Sequence, residues 1–138
     1  MDDSPELFDE GEFVYRRIHR SFVQSELPLS IQPAAFRPNE NDKTGLSVFR
    51  ARDVQAADTL ETVPIAKRGE YLVARLAVRD LLRLGLTVVD DPDPDGPPGH
   101  SVIPELSWNS YQANKRRLKE VQVELATLAS HRIVHPSP

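Results

Sequence analysis

The chain has 138 residues, a formal net charge of −4 and no cysteine. That length suits one domain with a real core, and the missing thiols exclude disulfides, a cysteine nucleophile and thiolate metal sites. The acidic balance excludes a global attraction to nucleic acid or to anionic membrane.

Residues 1–12 hold six acidic residues and no basic one, which predicts an acidic mobile tail ahead of a single domain over 13–138. The acidic start lacks the basic and apolar regions of a signal peptide. No apolar run approaches the roughly 20 residues of a membrane span, so a cytoplasmic location and no membrane partner are expected. Glu12 to His19 is rich in aromatic and β-branched residues and predicts a strand, with Phe13, Tyr15 and Arg17 on one side and Val14, Arg16 and Ile18 on the other. Ser25 to Asn41 carries Pro28, Pro33 and Pro38 and predicts loop, with a short strand or helical turn around Ala34-Ala35-Phe36. A turn cluster, Asn39 to Gly45, leads into a strand at Leu46 to Arg50. Residues 53–62 suit a short helix capped by Asp53 and ended by Pro64.

A strand from Glu70 to Ala77 is followed by a short helix from Val78 to Leu84, closed by Gly85. Thr87 to Val89 predicts another strand. Asp90 to His100 then reads Asp-Asp-Pro-Asp-Pro-Asp-Gly-Pro-Pro-Gly-His. Proline fixes φ and removes donors, so neither helix nor central strand crosses it. This loop delivers His100 to a strand at Ser101 to Ile103. From Ser110 to Ser130, Leu118, Val121, Leu125 and Leu128 recur at spacings of 3 and 4 and predict an amphipathic helix, with Ser107, Asn109 or Ser110 as cap. His131 to Pro138 trails behind it.

An ordered series of short pieces spans most of residues 13–135. It comprises Val14-Tyr15-Arg16-Arg17-Ile18-His19, Gln32-Pro33-Ala34-Ala35-Phe36, Leu46-Ser47-Val48, Leu84-Gly85-Leu86, Asp91-Pro92-Asp93-Pro94, Pro98-Gly99-His100 and the basic final helix. The series resembles a group of small bacterial proteins without an assigned function. That group places a serine before the Ala35-Phe36 pair, where this chain has Gln32-Pro33-Ala34. The resemblance implies a bacterial gene neighbourhood of conflict or defence type.

Three sets of residues carry the chemistry on offer. Arg16, Ser47 and His100, with Tyr15, suit one cleft. Guanidinium matches phosphate bidentately and imidazole titrates near neutrality, so this set fits a phosphate or a nicotinamide nucleotide. Short strands bearing such residues suggest ADP-ribosyl transfer, but no glutamate signature accompanies them. The bland counterpart has Arg16, Arg17 and Arg20 paired with acidic tail or loop, and His100 capping a strand end. Next, Lys115, Arg116, Arg117 and Lys119, near Trp108 and Tyr111, suit phosphates of nucleic acid. Their bland counterpart is a solvated face with pairs such as Arg116 to Glu120. Finally, His131 and His135, four apart, and the carboxylates Asp90, Asp91, Asp93 and Asp95 fail the spacing of zinc and calcium sites, so no metal is expected. No Gly-rich phosphate loop and no nucleophile elbow occurs.

These readings converge on an α+β fold, a small twisted sheet of about five or six strands with a long C-terminal helix packed on it. The favoured role is a non-enzymatic accessory or interaction module that works with a protein encoded nearby and needs no cofactor. A nucleotide- or NAD-handling enzyme of ADP-ribosyltransferase type through Arg16, Ser47 and His100 is the alternative. Arg17 joins the binding set, and a nucleic-acid binder through Lys115 to Lys119 is the third reading.

Overall fold

A computed structural model describes residues 8–24 and 29–136. In chain order the regular elements are β1 (Phe13–His19), β2 (Val23–Gln24), β3 (Ser30–Ile31), β4 (Leu46–Arg50), β5 (Tyr71–Ala77), α1 (Val78–Arg83), β6 (Val89–Asp90), β7 (His100–Ile103), α2 (Trp108–Ala113), α3 (Lys115–Ser130) and β8 (Ile133–His135). Six strands form one antiparallel sheet in the order β6-β7-β4-β1-β5-β8, and β2 with β3 makes a separate ribbon. The α+β class and the C-terminal helix are as the sequence predicts. Among the described residues no helix is long and apolar enough to cross a membrane.

The central pair is β1 with β5, in register from Phe13 opposite Ala77 to His19 opposite Tyr71. Alternation decides which face is buried. Val14 and Ile18 of β1, Leu46 and Val48 of β4, Leu76 of β5 and Ile103 of β7 all join one core. α3 covers that face with Leu118, Val121, Leu125 and Ala129, and Phe36 closes it from a 3-10 turn at Pro33–Phe36. Leu125 is fully buried, whereas Leu128 is only partly covered. The other face carries buried Phe49, Val73 and Val102. Two further 3-10 segments, Ala57–Leu60 and Ile65–Glu70, lie against β1 and β5.

Several expectations are corrected. The helix expected over 53–62 is a 3-10 segment, and Asp53 caps nothing; its N–H instead closes a turn onto the Arg50 carbonyl. The single helix expected over 110–130 is two. Ser107 caps α2 by accepting from the Ser110 N–H, and the chain breaks at Asn114 (φ −135°, ψ 35°), whose amide donates back to the Ser110 carbonyl. The strand expected at Thr87 starts only at Val89, because the Thr87 N–H and hydroxyl both donate to the Glu105 carboxylate, each at 2.7 Å. The trailing segment after α3 folds back as edge strand β8 on β5.

Within the stretch 1–12 expected as an acidic tail, Phe8 and Glu12 contact Arg50 of β4. Residues 1–7 lie outside the described residues, but 8–12 are bound to the sheet. Glu12 accepts two hydrogen bonds from the Arg50 guanidinium, at Nε and Nη2, both 2.7 Å. The Arg50 guanidinium also lies 3.9 Å from the Phe8 ring centroid. An acidic run is read as tail by composition, yet one of its carboxylates is the partner of a buried cation.

The helix α1 ends as expected. Gly85 sits at φ +78°, its N–H donates to the Leu82 carbonyl, and the Leu86 N–H donates to the Leu81 carbonyl. That is a Schellman closure, which needs a left-handed residue at this position.

Candidate anion-binding cleft

At the C-terminal end of β1 an open cavity of about 660 Å³ lies between the sheet, the Pro33–Phe36 turn and the Ile65–Glu70 segment. Four cations line it: Arg16 and Arg17 from β1, Arg37 after the Pro33–Phe36 turn, and Lys67. Asn39, Ser47, Thr62 and Tyr71 add neutral polar groups, and Asp42 is the one carboxylate among the described lining residues. None of the four cations forms an ion pair among the described residues.

Arg16 is the centre of this arrangement. Nη1 donates to the Ser47 carbonyl at 2.9 Å and Nη2 to the Ala35 carbonyl at 3.0 Å. Its Nε is buried without a hydrogen-bond partner. Burial lowers its pKa to about 10; Asp42 acts against the fall and Arg17 adds to it. The side chain is therefore still a cation at pH 7, hydrogen-bonded to carbonyls while Asp42 acts on it from beyond ion-pair distance. A charge held in a partly enclosed site without a close counter-ion is costly, and this one lines an open cavity.

Arg17 repeats the pattern more weakly. Nη1 donates to the Thr62 hydroxyl at 2.9 Å and the Thr59 carbonyl at 3.2 Å, and the guanidinium lies 5.0 Å from the Phe49 ring centroid. Burial lowers its pKa as well, while Tyr71 acts against the fall. The bland expectation that Arg16, Arg17 and Arg20 pair with acidic tail or loop is not met. Arg20 donates from Nε to the Gly69 carbonyl at 2.7 Å. The acidic tail reaches Arg50 instead.

Ser47 lines the cleft from the middle of β4. His100 stands behind it, not on the cleft wall. Its Nε2 is 3.2 Å from Ser47 Oγ and its Nδ1 is 2.6 Å from the Asp91 carbonyl. The proline-rich loop does hold His100 at the start of β7, as its sequence suggests. The Asp91 N–H donates to the His100 carbonyl and closes the loop at its base. Gly99, at φ +84°, makes the approach possible: a Cβ there would sit 3.0 Å from the Arg50 carbonyl oxygen. Phe49 meets the His100 ring edge-on at 5.5 Å.

The sheet thus brings together Arg16, Arg17 and Ser47, with His100 in the next layer. Tyr15 does not line the cleft. Lys115, Arg116, Arg117 and Lys119 are exposed at the start of α3, away from it. Arg117 donates to the Leu84 carbonyl, and Arg116 makes no ion pair with Glu120. His19 Nδ1 accepts from the Ser21 N–H and caps a turn. Sequence reasoning misses Arg37, Asp42 and Lys67. Each lies in an irregular segment whose path is set by tertiary packing, so no periodicity points to it.

No family model, curated protein or solved structure matches the chain. The fold class and the cleft geometry therefore carry the functional reading.

Proposed function

We propose that the protein binds a phosphate-bearing ligand of nucleotide size in this cleft. The observation that carries the reading is Arg16, a half-buried guanidinium with an enclosed, unpartnered Nε that donates only to carbonyls and meets no carboxylate within ion-pair distance. An entering phosphate supplies the missing counter-charge, and Arg17, Arg37 and Lys67 add to it around the same cavity. Charge-assisted bonds to phosphate are about twice as strong as neutral ones. A volume of about 660 Å³ lies in the range of small-ligand sites.

This ligand chemistry serves the accessory module that the sequence favours, working with a protein encoded nearby, since binding alone needs no catalytic set. It equally serves NAD handling, and NAD is one ligand to test. ADP-ribosyl transfer is the weaker form of that reading, because among the described residues the lining carries one carboxylate, Asp42, and no glutamate. The nucleic-acid reading rests on a different surface, the exposed Lys115 to Lys119.

Thermal melts with pyrophosphate, AMP and NAD test the proposal. A ligand that binds only the folded state at about 100 times its Kd adds about 2.7 kcal/mol of stability. In a domain of this size that is a rise of several degrees. The rise is expected with at least one of the three and is expected to vanish in Arg16→Gln. Flat melts with all three ligands overturn the reading.

A further inference from the structure

We infer that Ser47 is a nucleophile activated by His100, and that the cleft hydrolyses a phosphate monoester. The inference rests on the phosphate reading for the class of ester alone; the activation of Ser47 stands on separate geometry. A carbonyl oxygen only accepts, so the 2.6 Å contact between His100 Nδ1 and the Asp91 carbonyl places a proton on Nδ1. In neutral imidazole the proton on Nδ1 leaves Nε2 bare. Nε2 faces Ser47 Oγ at 3.2 Å, so Ser47 donates its hydroxyl hydrogen to His100. The Asp91 carboxylate, with Oδ2 at 3.6 Å from Nδ1, lies on the far side of the ring and stabilises the imidazolium that forms when His100 takes that proton. Nucleophile, base and orienting group therefore follow one another in line, which is the geometric signature of an activated hydroxyl.

Their setting makes the pair more than a local hydrogen bond. Ser47 is on the wall of the cationic cleft, while His100 and Asp91 are behind it. Ser47 is the member on the cleft lining, and the His100 side chain, 19% exposed, stands next to it with Nε2 facing the hydroxyl. Arg16 is fixed to the carbonyl of the same residue, so its charge lies within one residue of the attacking oxygen. Phosphoryl transfer needs little more than positioning and cations on the equatorial oxygens. In the first step Ser47 Oγ bonds to phosphorus and the bond from phosphorus to the leaving oxygen breaks. The Ser47 proton passes to His100 Nε2 and then to the departing alkoxide, releasing an alcohol. In the second step water attacks the phosphoserine, His100 takes the water proton, the Oγ–P bond breaks, and that proton returns to Ser47. Inorganic phosphate leaves, and the enzyme is restored with no oxidant, reductant or further co-reactant.

A phosphorofluoridate probe, diisopropyl fluorophosphate, separates an activated serine from an ordinary one by forming a stable adduct. Mass spectrometry of the labelled full chain is expected to place one adduct on Ser47, with none in Ser47→Ala. His100→Ala is expected to slow labelling by about 10²–10⁴-fold, the usual contribution of a general base. Because His100 also packs on Phe49, His100→Gln is run beside it, with circular dichroism to confirm that each variant folds. Inorganic phosphate is expected to protect Ser47 in the wild type. No adduct on Ser47, or a folded His100 variant that labels at the wild-type rate, overturns the nucleophile. An adduct that phosphate does not protect overturns the assignment to phosphate esters and leaves the thermal melts above to judge binding by themselves.

Discussion

Arg50, buried, and Arg16, half-buried with an enclosed Nε, are arginines on adjacent strands, and they are solved in opposite ways. Arg50, 1% exposed, is held by the Glu12 carboxylate through two short hydrogen bonds, has Asp90 at 3.6 Å and lies over the Phe8 ring. Its pKa is raised, chiefly by the bond to Glu12. Arg16 has carbonyls for partners, an idle Nε and a pKa pushed down to about 10 by burial. The first is a closed structural joint between the N-terminal segment, β4 and the start of the proline-rich loop. The second lines a cavity and meets no carboxylate within ion-pair distance among the described residues. One cation holds the fold together, and the other costs the fold something and faces outward, as binding groups do.

The largest effect is expected where the closed joint is broken. Removing one partner of a buried pair leaves an uncompensated charge, at a cost of about 3–5 kcal/mol. Glu12→Gln is expected at the lower end of that range, since Asp90 stays near Arg50. Urea denaturation measures it, and an unchanged midpoint would mean that the joint adds nothing. Acid gives a second view of the same pair. Glu12 has its pKa lowered from 4.5 to about 2, first of all by the hydrogen bond from Arg50. A depressed carboxylate contributes stability that is fully present above the unfolded pKa and is lost as pH falls through the folded one. The wild type should therefore lose stability between about pH 4.5 and pH 2. Glu12→Gln should be the flatter of the two across that window; parallel curves would remove Glu12 as the cause.

That joint also measures how far the sequence can be read. The strands β1, β4, β5 and β7, the turn at Ala34 to Phe36, the Gly85 closure and the loop that delivers His100 are all legible, because each rests on local rules: alternation, proline geometry, a left-handed cap. The Leu118, Val121 and Leu125 stripe is legible for the same reason. What is not legible depends on tertiary partners. Glu12 reads as tail because nothing local ties it to Arg50, 38 residues on. The break at Asn114 is hidden, since the apolar period runs past it. In the cleft, Arg16, Arg17 and Ser47 are found as strand residues of the right chemistry, whereas Arg37 and Lys67 arrive from segments without a period. Asp91 contributes a backbone carbonyl, which no sequence pattern marks.

A medium effect is expected at the open arginine. Arg16→Met removes a half-buried cation that has no carboxylate and replaces it with an apolar chain of similar length. Withdrawing an unpaired cation is favourable, and leaving the Ser47 and Ala35 carbonyls without these donors offsets it. The unliganded midpoint should shift by less than about 1 kcal/mol in either direction or rise, while the ligand-dependent rise in melting temperature disappears. A loss as large as that of Glu12→Gln would make Arg16 a second structural joint and dissolve the contrast between the two residues.

The smallest effect is expected on the exposed start of α3, and it decides whether the cleft or the helix reads phosphate. Lys119 is solvent-exposed and makes no ion pair. Surface substitutions of that kind usually stay within about 0.5 kcal/mol. Lys119→Ala should leave both the melt and the response to pyrophosphate, AMP and NAD as they are, because a solvated cation on another face has no part in a buried counter-charge. Binding to an oligonucleotide is a different matter. If Lys115 to Lys119 track a nucleic-acid backbone, the salt slope of binding falls by about one when Lys119 is removed. A fall in the salt slope with an unchanged small-ligand response would make α3 a second phosphate-reading surface, independent of Arg16. A lost small-ligand response in Lys119→Ala would move phosphate recognition from the cleft to the helix, and the unpaired guanidinium of Arg16 would then need another explanation.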